Sequence, residues 1–238
     1  MPERRKLVPA YKDELAYPGC LMHYQERILG IITQREELRI DIEAGDSSPV
    51  GYFLPVTAAT ANDPTIVEKL TRWRNFARRS FLTQFTATPE RTRKWLETTV
   101  LAGNNRLLFL LHTDRDRLVG HYGFINMDEN SAEVDNLLRG ESGGSPQLVQ
   151  LAEVTLVSWM FSEFGLKHIR ARVLSNNPFA LRLHHDAGFQ PVARIPLCKK
   201  EVGDEVRLVA SGVHGEDSSE NLYQEVLELT PEALRRPE

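Results

Sequence analysis

The chain has 238 residues, of which 41% are hydrophobic and 26% charged, and its formal net charge is −4. This length supports one domain with a full hydrophobic core, and the composition is typical of globular proteins. A net negative charge gives no electrostatic basis for binding nucleic acid. The longest apolar runs, LLFLL and VSWMF, are too short to cross a bilayer, and two distant cysteines favour neither a disulfide framework nor a metal cluster. We therefore expect a cytoplasmic protein that neither enters a membrane nor binds a metal.

The first fifth of the chain is polar and rich in turns. It contains a helical candidate, CLMHYQERILGII, and an alternating stretch, ELRIDIEA. The segment AGDSSPVG then marks a boundary by its turn chemistry. We therefore treat residues 1–49 as an N-terminal extension and expect the main domain to begin near residue 50.

From residue 50 onward, periodicity and cap signals predict a regular succession of elements. In chain order these are the strand GYFLPVT, a helix from Pro64 to Phe85, the helix TPERTRKWLETTVL, the strands RLLFLLHT, RLVGHYGFIN and SAEVDNLL, a helix from Pro146 to Phe164, the strand HIRARVLS, a helix from Phe179 to Ala187, and the strands QPVARIPL, EVRLVA and NLYQEVLEL. This order predicts a single domain of mixed α/β class.

A loop rich in glycine and serine, RGESGGSPQ, joins one predicted strand to the longest predicted helix. The first amides of a helix have no intrahelical partner and lie at the positive end of the helix dipole, so they can bind a phosphate. The loop matches neither G-x-x-x-x-G-K-[ST] nor G-x-G-x-x-G, which excludes the usual triphosphate and dinucleotide motifs. A loop that merely turns the chain is an equal alternative from these residues alone.

The segment VDNLLRGESGGSPQLVQLAEVTLVSWMFSEFGLKHIRARVLSNNPFALRLHHDAGF resembles the GNAT superfamily of acyl-CoA-dependent N-acyltransferases. The family's N-x-x-A-x-x-L-Y-x-x-x-G-F helix is matched, except at its tyrosine, by Asn177, Ala180, Leu183, His184, Gly188 and Phe189. The resemblance implies a mixed α+β GNAT fold, in which helices flank a mostly antiparallel sheet with splayed fourth and fifth strands. It implies a GNAT domain over residues 50–230, followed by a tail at 231–238.

The same resemblance implies that acetyl-CoA is the cosubstrate. The family's phosphate loop can be aligned at Arg139–Gly144, or without a gap at 144–149, which we prefer because it starts the helix at proline. The implied cofactor-binding residues are Asn136, Leu137, Leu138, Arg139, Gly144, Ser145, Pro146, Gln147, Leu148, Val149, Asn177 and Ala180.

The two adjacent histidines near residue 185 raise the question of which one takes part in the chemistry. In the family, the tyrosine at the position of His184 commonly protonates the departing thiolate of coenzyme A. A protonated imidazole is a stronger acid than a thiol, so His184 could take this role. Packing against the cofactor is an equal alternative for His184, whereas we expect His185 to be a solvated helix residue.

An amine nucleophile must lose a proton, so the reaction requires a base as well as the predicted acid. Family bases often come from the strand SAEVDNLL, where Asp135 and Glu133 share one face and Asn136 takes the other. Two acids at alternate positions are also typical of an exposed strand face. His121 and Tyr122, on the preceding strand, are further candidates.

The acceptor is indicated by the segment RWRN, which resembles a segment in GNAT enzymes that acetylate nucleotide-linked amino sugars and in relatives that modify protein N-termini. We expect Trp73 to pack in the core. The candidate substrate-binding residues are Arg72, Arg74, Asn75 and His121. The resemblance implies acetyl transfer to a small-molecule amine, and it is compatible with a homodimer. The alternatives are a protein N-terminal or lysine acetyltransferase and a non-catalytic acyl-CoA sensor.

Overall fold

The computed structural model describes residues 20–35, 37–45, 48–103, 105–211 and 221–236. Residues 1–19 of the predicted N-terminal extension therefore lie outside the described residues. Within these ranges no helix is long and apolar enough to cross a bilayer.

The described residues form a sheet of ten strands in the order β1-β2-β4-β5-β6-β7-β10-β8-β9-β3. The strands are β1 (Ile40–Glu43), β2 (Pro49–Pro55), β3 (Thr83–Gln84), β4 (Leu107–Thr113), β5 (Leu118–Ile125), β6 (Ser131–Arg139), β7 (His168–Leu174), β8 (Gln190–Val202), β9 (Glu205–Ala210) and β10 (Tyr223–Leu229). All neighbours pair antiparallel except β6 and β7. The expected mixed α/β fold with a mostly antiparallel sheet is confirmed.

Six α-helices accompany the sheet in the described part of the chain. They are α1 (Cys20–Ile32), α2 (Ala58–Asn62), α3 (Pro64–Phe76), α4 (Pro89–Trp95), α5 (Leu148–Phe164) and α6 (Pro178–Ala187). A π-helical turn, Leu96–Val100, prolongs α4, and short 3₁₀ turns lie at Arg78–Ser80 and Pro231–Ala233.

Two predicted helix bounds are wrong. The helix predicted to reach Phe85 ends at Phe76, because residues 83–84 form β3 and pair with β9. Helix α5 begins at Leu148 rather than Pro146, since Pro146 and Gln147 form a turn in which the Leu148 amide donates to the Ser145 carbonyl. Its predicted end is confirmed, because Gly165 caps the helix in the left-handed conformation with φ of 64°.

The parallel strands β6 and β7 pair over only four residues, Ser131–Val134 against His168–Ala171. Beyond this point β6 pairs with β5 alone, and β7 pairs with β10. The strands therefore diverge as the splayed pair of the expected fold should. On the diverging part of β6, Asn136 has a φ of +50°, and the register with β5 shifts between His121 and Gly123.

The hydrophobic core lies on both faces of the sheet. On one face α5 packs with α1, and the core includes Ile28, Ile42 and Leu156. On the other face, α3 and the end of α4 pack on the sheet around Trp73, which is 1% exposed and confirms its expected place in the core. Thus α1 and β1 share the core of the main domain, although they precede the boundary expected near residue 50.

The C-terminal segment closes against α6. Gly188 ends α6 in the left-handed conformation with φ of 106°, and the amide of Arg235 donates to the Ala187 carbonyl. A Cβ atom on Gly188 would lie 2.1 Å from the carbonyl oxygen of Ala233. The α6 terminus and the tail therefore depend on glycine at this position.

We expect Gly188→Ala to lower the free energy of unfolding by roughly 2 kcal/mol or more, because it adds left-handed strain to a backbone clash. Urea unfolding followed by circular dichroism measures this change. Gly30→Ala is the matched control: Gly30 lies in α1, and a Cβ atom added there would meet no atom within 4 Å, so alanine should be neutral or mildly stabilising. Equal stabilities of the two variants would contradict the strain at Gly188.

Candidate active site

The divergence of β6 and β7 opens a cavity of about 610 Å³. Its walls come from the connection between α3 and α4, from β6 and β7, and from the first turns of α6. Several sequence-predicted residues line it together: His184, Asp135, Glu133, Asn136, Leu137, Asn177, Ala180, Arg74 and His121. The fold thus brings candidates from separate elements to one space.

Helix α6 separates the two histidines. The Asn177 side chain caps the helix by accepting a hydrogen bond of 3.2 Å from the Ala180 amide. His184 is 2% exposed and lines the cavity, whereas His185 is exposed on the outer face. Only His184 is therefore placed to meet a ligand in the cavity.

A glutamate that sequence reasoning missed holds His184. Glu153 on α5 is completely buried, and its Oε1 accepts a hydrogen bond from Nδ1 of His184. The same oxygen accepts a hydrogen bond of 3.3 Å from the hydroxyl of Tyr122, while Oε2 has no partner among the described residues. With Nδ1 engaged by Glu153, Nε2 is the nitrogen of His184 left for the cavity.

The sequence contains a signal that could have identified Glu153. It lies within LVQLAEVTLVSWMF, where it is the single charged residue in a mostly apolar stretch of helix. A helix of that composition is buried, and a buried carboxylate needs a partner. The sequence alone does not name that partner, because His184 lies on another helix.

The two predicted carboxylates on β6 have different surroundings. Glu133 forms an ion pair of 2.9 Å with Arg172 on β7. Asp135 lies 3.8 Å from Arg106 and accepts a hydrogen bond from the Asn136 side chain. Burial raises the pKa of Asp135, while Arg106 and Asn136 oppose that rise. A raised pKa makes the Asp135 carboxylate a stronger base.

The alternation predicted for β6 fails at one residue. Strict alternation places Asn136 on the face opposite Asp135, yet its amide group donates to the Asp135 carboxylate. The left-handed backbone at Asn136 explains the difference, because a bulge turns the side chain out of strict alternation.

The two further base candidates on β5, His121 and Tyr122, are both buried, and burial shifts their pKa values in opposite directions. Nδ1 of His121 donates to the Asn136 carbonyl, and burial lowers the pKa of His121 to about 4. His121 is therefore neutral near pH 7 and a weak base. Burial and the neighbouring Glu153 raise the pKa of Tyr122 well above its ordinary value, so its hydroxyl stays protonated.

Of the three predicted substrate-binding residues on α3, only Arg74 lines the cavity. Arg74 lines the cavity, and its guanidinium lies over the rings of Phe81 and Phe85. Arg72 is exposed and pairs with Glu141 outside the cavity lining. The Asn75 side chain exchanges two hydrogen bonds, of 2.8 and 3.0 Å, with the backbone of Ala87 and does not line the cavity.

The predicted phosphate loop precedes α5. Gly143 and Gly144 have φ values of 127° and 73°, which only glycine adopts readily. Ser145 Oγ accepts from the Gln147 amide at 3.2 Å, and Pro146 and Gln147 are exposed. The side chains of Leu148 and Val149 are buried, so only their backbone is available to a ligand.

The remaining cofactor-binding candidates lie at the end of β6. Leu138 packs beside the core cluster that contains Trp73. The Arg139 guanidinium donates to the carbonyl of Gly143 at 2.8 Å and of Glu141 at 3.3 Å, and thereby braces the loop. Neither Leu138, Arg139 nor residues 144–149 line the cavity.

Solved structures with the same fold include three acetyltransferases of different specificity. One modifies the N-terminal serine of ribosomal protein L7/L12 in Salmonella typhimurium (12% identity, TM-score 0.58, 81% of this chain and 99% of that chain). Another is a nucleotide-linked sugar GNAT (11%, 0.56, 82% and 93%). The third is spermidine N-acetyltransferase from Vibrio cholerae in complex with CoA and spermine (14%, 0.57, 76% and 95%). At these identities the likeness shows the fold alone.

A comparison with curated protein sequences finds no match. The family model described as "Acetyltransferase (GNAT) domain" matches residues 54–190, which is more than half of the chain and includes β6, α5, β7 and α6. The protein therefore belongs to the GNAT acetyltransferase family and is an N-acetyltransferase with acetyl-CoA as its acetyl donor.

Proposed function

We propose that this enzyme transfers an acetyl group directly from acetyl-CoA to the primary amine of a small molecule, and we favour a nucleotide-linked amino sugar as the acceptor. One observation carries the transfer reaction: His184 on α6 and Asp135 on β6 line the same cavity. An acid for the departing thiolate and a base for the attacking amine thus face one space. The preference for an amino sugar rests on the resemblance of the RWRN segment alone.

The chemistry follows from these two positions. The acceptor nitrogen bonds to the thioester carbonyl carbon, and the carbon–sulfur bond breaks. Asp135 accepts the proton that the amine loses, and His184 donates a proton to the thiolate sulfur. Within the described residues no cysteine lines the cavity, which supports direct transfer without an acyl-cysteine.

The donor would lie along the opening between β6 and β7. Backbone groups of β6 beyond Val134 do not pair with β7 and could bond the amide-containing arm of coenzyme A. The first amides of α5 would bind its diphosphate, because they lie at the positive end of a 17-residue helix.

The acceptor class is tested by turnover. We would incubate the enzyme with acetyl-CoA and a nucleotide-linked amino sugar, spermidine, or a peptide beginning with serine, and measure the release of the free thiol of CoA. The proposal expects kcat/KM to be highest for the amino sugar. A preference for the peptide would contradict the small-molecule assignment, and the absence of turnover with every amine would favour an acyl-CoA sensor.

Ser145→Glu should abolish the rise in melting temperature that acetyl-CoA causes in the unmodified protein. A ligand that binds only the folded state stabilises it by mass action, and a carboxylate at this loop would repel the diphosphate. Thermal unfolding with and without acetyl-CoA measures the effect, and the variant should unfold near the normal temperature without ligand.

Ser142→Glu places the same charge in the alternative register of the loop and serves as the matched comparison. It should retain the thermal shift if residues 144–149 bind the diphosphate. Loss of the shift in Ser142→Glu alone would support the gapped register instead.

His184→Phe should lower turnover by roughly 10²–10⁴-fold while sparing the affinity for acetyl-CoA, because it removes a proton donor but keeps an aromatic ring at the site. His185→Phe, on the exposed face, should change little. His184→Tyr restores a hydroxyl proton donor at the family's tyrosine position and should keep more activity than His184→Phe. Equal, small effects of both phenylalanine variants would mean that another group protonates the thiolate.

Glu153→Gln should lower kcat by about 10-fold or more while sparing the KM for acetyl-CoA. The change keeps the shape of the side chain but replaces the carboxylate that accepts from Nδ1 of His184, so that Nε2 is no longer held toward the cavity. Steady-state kinetics would measure both parameters. Glu163→Gln, near the end of the same helix, is the control and should leave kcat unchanged. An unchanged kcat in Glu153→Gln would mean that Glu153 does not position His184 for the reaction.

A further inference from the structure

We propose that the acceptor carries an anionic group, a phosphate or a carboxylate, and that Arg74 binds this group in the cavity. The inference rests on the proposed function and extends it by naming the residue that binds the anionic group, which the diphosphate of a nucleotide-linked sugar would supply. It is carried by the surroundings of Arg74, by the other charges of the cavity and by one buried amide.

Arg74 is a cation held against aromatic rings with few polar partners. Its Nη2 donates to the Thr83 carbonyl at 2.8 Å, and its Cζ lies 3.4 Å from the centre of the Phe81 ring and 5.0 Å from that of Phe85. Burial lowers the pKa of Arg74 to about 10, so the guanidinium remains charged near pH 7. A guanidinium has five N–H donors, and this one keeps donors for a ligand.

The other guanidiniums that line the cavity already have carboxylate neighbours. Arg91 pairs with Glu205, Arg106 lies 3.8 Å from Asp135, and Arg172 pairs with Glu133 at 2.9 Å. Among the described residues, no carboxylate oxygen lies within 4.0 Å of Arg74. Asp135 attracts the Arg74 guanidinium from a greater distance but does not contact it. A bound oxyanion would supply the direct charged partner that a partly buried guanidinium favours.

A buried amide provides a second, independent indication of a polar ligand. Gln224 on β10 lines the same cavity and is 6% exposed. Its Nε2 has no hydrogen-bond partner among the described residues. Such a donor normally finds a partner in the folded protein or in a ligand, so the Gln224 amide can donate a hydrogen bond to an acceptor oxygen of a bound molecule.

The position of Arg74 depends on contacts that are distant in sequence. Thr83 pairs with Arg207 on β9, and the Leu208 amide donates to the Leu82 carbonyl at 2.7 Å. These bonds fix the connection that supplies Phe81, Phe85 and the Thr83 carbonyl. Arg74 is thereby held in place before a ligand arrives, which lowers the ordering cost of binding.

The test compares matched amines that differ by one anionic group. Glucosamine 6-phosphate is paired with glucosamine, and β-alanine with propylamine, so that the two pairs distinguish phosphate from carboxylate. The unmodified enzyme should show a higher kcat/KM for the anionic member of at least one pair. Arg74→Met should lower that kcat/KM by about 10- to 100-fold, mainly through KM, and should leave the neutral amine and the KM for acetyl-CoA nearly unchanged.

Two further variants separate a specific contact from a general effect. Arg115→Met removes one positive charge from the exposed β4–β5 turn and should preserve the preference for the anionic amine. Arg74→Lys keeps the positive charge and should retain part of the preference for the anionic amine. Equal losses for both members of a pair in Arg74→Met, or an equal loss in Arg115→Met, would overturn the proposal.

Binding without turnover keeps this inference separate from the proposed function. In the presence of saturating CoA, glucose 6-phosphate should raise the melting temperature more than glucose does, and Arg74→Met should remove the difference. This result without turnover of any amine would refute the proposed reaction and keep the anion site. No difference between the two sugars, together with no preference for either anionic amine, would overturn the anion site itself.

Discussion

The early end of pairing between β6 and β7 is the constraint on which the site depends. Two parallel strands in the middle of a sheet normally bond along their length, since unpaired backbone groups in the interior are costly. Here the bonds between β6 and β7 stop at Val134 and Ala171, while β10 pairs with the other edge of β7 from Ile169 to Leu174. The facing edges of β6 and β7 beyond this point therefore have backbone groups that require a partner that the sheet does not supply.

The bulge at Asn136 places chemical groups at this opening. Its left-handed backbone lets its carbonyl accept from His121 while its side chain bonds to Asp135. Conformations of this kind cost free energy in residues other than glycine and occur often at functional sites. The same distortion that interrupts the regular register thus orients the candidate base.

On the other side of the opening, Glu153 places a carboxyl group where it is completely buried. A buried carboxylate is destabilising unless it is well bonded, yet only one of its two oxygens has partners among the described residues. Stability alone gives no reason to keep such a group inside an apolar helix. The orientation of His184 by Glu153 gives a functional reason to keep it, because the contact with Nδ1 leaves Nε2 of His184 for the cavity.

Local features of the sequence were sufficient for most of the fold, while the donor-binding residues stay a prediction. Asn177 at the start of α6 and Gly165 at the end of α5 signal helix ends through their own chemistry, and the structure has both caps. Strand β3 and the true end of α3 escaped prediction because they depend on pairing with β9, far along the chain. Glu153 escaped for the same reason, since its partner His184 lies on a different helix. Features that depend on distant contacts are harder to predict than local ones, which explains why the sequence indicates the reaction more clearly than the acceptor. The side of the cavity that we propose binds the acceptor joins Arg74 to Phe81 and Phe85, and the hairpin of β8 and β9 holds that connection in place. A change in the hairpin could therefore move Arg74 and alter acceptor choice without touching any residue of the donor motifs.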